Sequence, residues 1–211
     1  MNFSPKKITA LFCHPDDETL ICFGTLAKLI NQGAQVSVVF FTDGHQGRLQ
    51  CSIDTCAWIG ARVLVAPGVN ATTELNWDRH IIKLVDEFLA SEEPDLIITH
   101  SPALAEHQEH HHLYRAVLNS VYRASRVKAL WLGEPISRNP DFRPNLFIDI
   151  SEQMPIKEKA LAVHNNFLPR WFLQADVVKN RCAFWAMQSP GWQYSQSPGY
   201  CEVFQIAYMQ G

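Results

Sequence analysis

Two short clusters of histidine and acid contain the residue types that hold a divalent metal and activate water. They are His14-Pro15-Asp16-Asp17-Glu18 and His107-Gln108-Glu109-His110, with His111 and His112 behind the second. Taken singly, each has an ordinary explanation. Acids are common in the first turn of a helix, where they face the positive end of its dipole, and a histidine run can be a solvated helix start. The pair says more, because two imidazoles and one carboxylate with a fourth position left open make a catalytic zinc sphere, as opposed to the closed four-ligand structural kind. His14, Asp17 and His110 compose such a sphere. The same donors suit iron(II), cobalt or manganese. A water on that metal loses its proton near neutral pH, and Asp16, beside the ligand Asp17, is the natural residue to collect it. His107 then stands across the water, able as an imidazolium to stabilise an oxyanion or to protonate a departing amine. Residues three apart share a face of a helical turn, so His107 and His110 are expected to point together.

These side chains meet only if the fold brings both clusters to one edge. Ile8 to Cys13 is an apolar run ending at His14, and Val36 to Phe41 is a stronger one; both read as buried strands. Between them Leu20, Phe23, Ala27 and Ile30 recur at helical spacing, and Gly33 stands where a helix end favours a left-handed residue. The alternation continues with a helix over Ser52 to Ile59 stopped by Gly60 and a strand over Val63 to Ala66. An amphipathic helix carrying Trp77, Ile81, Leu84, Val85 and Phe88 follows, then a strand over Leu96 to Thr99. This order predicts an α/β, Rossmann-like fold, a mostly parallel sheet with helices on both faces. Ligands in such sheets bind beyond the carboxyl ends of the strands, where both clusters fall.

After Ser101 the pattern loosens. A helix is expected over His111 to Ser125, strands over Ala129 to Leu132 and Leu146 to Ile150, and a short helix over Ile156 to Val163 introduced by Pro155. Around Trp185 to Tyr200 the turn signals Ser189-Pro190-Gly191 and Ser197-Pro198-Gly199 suggest no regular element, and Val203 to Ala207 reads as an edge strand. No repeat or linker divides the chain, so one domain over residues 1–211 is expected.

Composition narrows the partners. A formal net charge of -3 lacks the basic excess that phosphate neutralisation requires, which argues against nucleic acid. No apolar stretch approaches the roughly 20 residues that span a bilayer, and Ile8 to Cys13 is too short for a signal segment. A cytoplasmic protein without a membrane span is expected, and a homo-oligomer is compatible with the sequence. The six cysteines form no CxxC pair, against a redox motif or a cysteine-type zinc site. No GxGxxG follows the first strand, which disfavours a dinucleotide.

The two clusters, in this order and each after a strand, resemble the PIG-L (LmbE-like) family of zinc-dependent N-deacetylases. The resemblance extends to Thr42-Asp43-Gly44, to Glu134-Pro135-Ile136-Ser137, and to Phe142 through Ser151 leading into Lys159 and His164. It implies His14, Asp17 and His110 as zinc ligands, Asp16 as general base, and His107 as the charged partner. Arg48 falls where the family places an arginine, implying contact with substrate hydroxyls or phosphate. The sequence departs from the family at Ala105, often Asp, at Glu109, usually Asp, and at Asn165-Asn166, usually Ser-Gln. The substrate implied is a small sugar-like amide, an N-acetylglucosamine-type compound or conjugate losing its acetyl group. Trp131, Trp171, Trp185 and Trp192 are candidates to stack on a sugar ring. A zinc amidase for another acyl group or a non-sugar metabolite, and a non-catalytic Rossmann-like binding module, are the alternatives.

Overall fold

The computed structural model describes residues 3–44, 47–67, 79–102, 107–136, 141–193 and 199–210. Its strands are β1 (Lys7–Phe12), β2 (Gln35–Phe40), β3 (Arg62–Val65), β4 (Leu96–Thr99), β5 (Ala129–Gly133), β6 (Leu146–Asp149) and β7 (Cys201–Met209). They form one sheet in the order β3-β2-β1-β4-β5-β7-β6. The first five run parallel, and β7 lies antiparallel to both β5 and β6. The helices are α1 (Asp17–Ile21), α2 (Phe23–Asn31), α3 (Arg48–Ile59), α4 (Arg79–Glu92), α5 (Gln108–Val121), α6 (Met154–Phe167) and α7 (Ala175–Gln188). This is the expected Rossmann-like α/β architecture.

Both sheet faces are covered, which is why the central strands read as unbroken apolar runs rather than alternating ones. Leu11, Val39, Ile97 and Leu130 pack with Ile81, Leu84 and Val85 of α4 and with Leu113 and Val117 of α5. Their neighbours Ala10, Phe12, Val38, Phe40 and Ile98 point the other way, onto Leu26 of α2 and Cys56 of α3. Near the C-terminus, Met154 and Leu161 of α6 meet Val178 and Cys182 of α7.

Three expectations need correction. The helix expected through Leu20 and Ile30 is two helices, broken at Cys22, where φ is -144°. The break lets Glu202 serve as an acidic cap for α2, accepting the N–H groups of Gly24 (3.0 Å) and Thr25 (2.6 Å). Lys157, fully buried, neutralises that carboxylate at 2.6 Å and also donates to the Leu20 carbonyl at 2.9 Å. The family-like lysine expected at Lys159 is therefore the exposed one, and Lys157 fills the interior. Second, the strand over Val203 to Ala207 is not at the edge; β7 lies between β5 and β6, and β6 forms the rim. Third, Trp185 belongs to a regular element, α7. The stretch through Ser197-Pro198, together with Trp77, Ala105 and Ser137, lies outside the described residues.

Candidate active site

The first cluster is held by a turn tied to its neighbours. Beyond β1, the His14 N–H donates to Asp17 Oδ2 at 2.7 Å, and the Asp17 N–H returns to the His14 carbonyl at 3.2 Å. Asp16 between them has φ 122°, a conformation that few non-glycine residues adopt. Its N–H donates to Glu18 Oε2 at 3.0 Å. Glu18 is itself anchored: Oε1 accepts from Thr19 (2.9 Å) and Ser52 (2.8 Å), with His164 Nε2 at 3.7 Å. The Thr42-Asp43-Gly44 stretch buttresses the same turn. Thr42 Oγ1 donates to the Cys13 carbonyl at 2.9 Å, and a Cβ on Gly44 would lie 2.7 Å from Pro15 Cδ.

The second cluster arrives from β4, which neighbours β1 on the side opposite β2. The two loops thus flank the point where strand order reverses, the usual crevice for ligands in this architecture. His14 Nδ1 and His110 Nε2 are 3.1 Å apart, and each is 3.5 Å from Asp17 Oδ2. Zinc–ligand bonds of 2.0–2.1 Å in tetrahedral geometry require ligand atoms about 3.3 Å apart. The triangle fits a divalent cation.

The charges point the same way. Burial alone would lower the His14 pKa, but hydrogen bonds to Asp17 and Glu109 outweigh it and raise it to about 9. Burial would raise Asp17, yet the charge of His110 and hydrogen bonds from His110 and His14 hold it well below the usual carboxylate range. The triangle therefore attracts positive charge, as a proton or as a cation. Glu109 Oε2 lies 2.5 Å from His14 Nε2, behind the ring, where a second carboxylate fixes the orientation of a ligand imidazole.

Asp16, adjoining the triangle, is buried and ion-paired with Arg48 at the first turn of α3. Burial and the Asp17 charge lift its pKa to about 6 against the opposing pull of Arg48. Arg48, an expected substrate contact, is thus joined to Asp16 and also donates to the Gly44 carbonyl at 3.4 Å. The rings of His107 and His110 do come together, centroids 5.8 Å apart, although His107 stands just ahead of the helix and not within its first turn. It caps α5, its Nδ1 3.4 Å from the Glu109 N–H, with 60% of its side chain exposed. Its ring centroid is 5.0 Å from that of His14. Of the tryptophans, Trp131 is a core residue, Trp185 donates to Glu134 at 2.6 Å, and Trp171 stands exposed.

His100 was absent from the sequence reading. It stacks on His110 with centroids 3.9 Å apart, and its Nε2 accepts the Cys13 N–H at 3.1 Å, which leaves the ring proton on Nδ1. Burial and the charge of His110 keep its pKa well below the usual value, so it is a neutral wall behind the triangle. Its place directly after β4, at the ligand-binding ends of the strands, was the available signal.

A family model described as PIG-L: GlcNAc-PI de-N-acetylase matches residues 9–121, more than half of the chain. The chain belongs to the PIG-L family. This PIG-L protein is 24% identical over 222 residues to diacetylchitobiose deacetylase of Thermococcus kodakarensis, covering 90% of this chain and 81% of that one. Its fold is similar to that of N,N'-diacetylchitobiose deacetylase from Pyrococcus horikoshii (TM-score 0.76, 21% identity, 96% and 84% coverage). It is also similar to that of GalB, the 4-carboxy-2-hydroxymuconate hydratase from Pseudomonas putida KT2440 (TM-score 0.81, 16% identity, 98% of each chain). Deacetylases and a hydratase share this architecture, so chemistry has to be argued from the site.

Proposed function

We propose that this PIG-L protein is a zinc-dependent hydrolase that removes the acetyl group from an N-acetylglucosamine-type sugar or conjugate, releasing acetate and a free amine. The observation that carries this reading is the triangle of His14 Nδ1, Asp17 Oδ2 and His110 Nε2, with sides of 3.1–3.5 Å beside a buried carboxylate whose pKa is about 6. The family description and the names of the relatives support the deacetylation. Six cysteines without a disulfide agree with a cytoplasmic setting, and no helix of the described residues is long and apolar enough to cross a membrane. A sheet whose last strand inserts between β5 and β6 supports residues 1–211 acting as one unit.

His14, Asp17 and His110 would hold the cation. Zinc there supplies a Lewis acid that polarises the amide carbonyl and acidifies a water. Asp16 accepts the proton from the attacking water, and a pKa near neutrality suits a group that must take a proton and give it up in each turnover. Arg48 keeps the Asp16 carboxylate oriented and has N–H groups left for a substrate oxygen. His107, at the exposed rim, is positioned to donate a proton to the departing nitrogen or a hydrogen bond to the negative oxygen that develops at the carbonyl. A screen of N-acetylated sugars and sugar conjugates for acetate release, with and without a chelator, tests the reading. Chelator-sensitive release from an N-acetylglucosamine derivative is expected; turnover unaffected by chelator, or none across the amino-sugar set, overturns it.

A further inference from the structure

We propose a second ligand site, for a small organic monocarboxylate with an apolar body, at the end of the sheet opposite the metal triangle. It stands independently of the deacetylase reading. α4 and α5 lie side by side and both finish at this end, where Pro94 leads into β4 and Val127 into β5. Between their last turns lies a cavity of about 340 Å³, lined by Asp86, Leu89 and Pro94 on one side and by Ser120, Arg126 and Val127 on the other. That volume is at the low end for small-molecule sites, with room for roughly ten non-hydrogen atoms. The four residues of β4 alone put the cavity about 13 Å from the triangle.

Floor and rim differ in chemistry. Leu89 and Val127 belong to the core and give the cavity an apolar base. Ser120 is 1% exposed, and its Oγ has no hydrogen-bond partner among the described residues. A helical serine often returns its hydroxyl to the carbonyl one turn back, and a buried hydroxyl left unbonded is costly, so this one is available to a ligand oxygen. At the rim, Asp86 and Arg123 neutralise one another through two bonds of 2.8 and 2.9 Å, and the same arginine donates to the Asn119 carbonyl at the end of α5. Glu93 instead faces two cations, Arg126 Nε at 3.2 Å and Lys7 Nζ at 3.7 Å. The rim therefore has one positive charge in excess. Arg126 meets Glu93 through Nε, which leaves its two terminal nitrogens, with four of the five guanidinium N–H groups, for a planar carboxylate. One excess charge matches a carboxylate better than a phosphate monoester, which brings nearly two negative charges.

The test is titration of the full chain with hexanoate, followed in two-dimensional amide NMR spectra, with 1-hexanol and hexyl phosphate run beside it. Hexanoate is expected to give saturable shifts at Leu89, Ser120 and Val127 with a Kd of about 1–10 mM, and to bind more tightly than the other two. A carboxylate also has affinity for a metal in the triangle, so the titration is repeated in Asp17→Ala, where these shifts are expected to persist. Arg126→Ala is expected to weaken binding at least about tenfold and Ser120→Ala about two- to tenfold, with Arg126→Lys, which keeps the charge and loses the fork, in between wild type and Arg126→Ala. Absence of the shifts in wild type, their loss in Asp17→Ala, unchanged affinity in Arg126→Ala, or tighter binding of hexyl phosphate overturns the site. An empty result in the amino-sugar screen overturns the deacetylase reading and leaves this one standing.

Discussion

Asp16→Asn separates function from stability at the position where this site places them in conflict. The wild-type carboxyl has a folded pKa of about 6 against 3.8 for the free group, and burial is the leading cause. Between those values the folded chain holds more proton than the unfolded one, so stability falls as pH rises through the window and the penalty is complete above it. A shift of about two pH units amounts to on the order of 3 kcal/mol. Asparagine removes the titration, tolerates a positive φ as well as aspartate does, and gives up the Arg48 ion pair, so 3 kcal/mol is an upper bound. At about 2–4 °C per kcal/mol for a chain of this size, metal-free Asp16→Asn is expected to melt up to roughly 6–12 °C above wild type at pH 7.5. The gap should shrink as pH falls toward 4. The same variant should keep its metal and lose about 10²–10⁴-fold in kcat, the range for removing a general base. Differential scanning fluorimetry across pH, with metal content and acetate release on the same samples, reads all three. A variant that melts no higher than wild type at neutral pH refutes the burial argument, and one of undiminished rate refutes the base.

Three further outcomes follow from the same contacts. Asp17→Ala and His110→Ala are each expected to lose both bound metal and turnover, measured by elemental analysis and acetate assay, because each removes one corner of the triangle. Arg48→Ala is expected to move the acid limb of the kcat profile to higher pH, since the arginine holds the Asp16 pKa down and the base must be ionised to work. Lys157→Met is expected to cost about 3–5 kcal/mol in denaturant titrations by leaving Glu202 buried without its counter-charge. Lys157→Met combined with Glu202→Gln should recover part of it.

How much of this was legible in the sequence depended on the distance to the deciding partner. β1, β2, β4 and β5 could be read because strands buried on both faces announce themselves as apolar runs; His14 and Asp17 stood out because they follow directly on the end of β1, and His110 because it closes a histidine cluster in the loop and helix that follow β4. The cap on α2 comes from Glu202, 178 positions from Gly24, and no local pattern foretells it. The break at Cys22 and the burial of Lys157 depend on that contact and were hidden with it. For β7, nothing in the short run Val203 to Ala207 separates an edge from an interior antiparallel strand; only its pairing with both β5 and β6 distinguishes them. α7 buries Val178, Cys182 and Ala186, a stripe one residue wide per turn, too narrow to stand out from the turn signals behind it. The site shows the same division. Its cation-attracting corner was visible, whereas its supports, Glu18 pinned by Ser52 beside His164, and His100 stacked on His110, come from elements that only the fold brings together. Those supports hold Asp16 at φ 122° and fix the plane of His110, so the part that could not be read is what turns a set of ligands into a geometry.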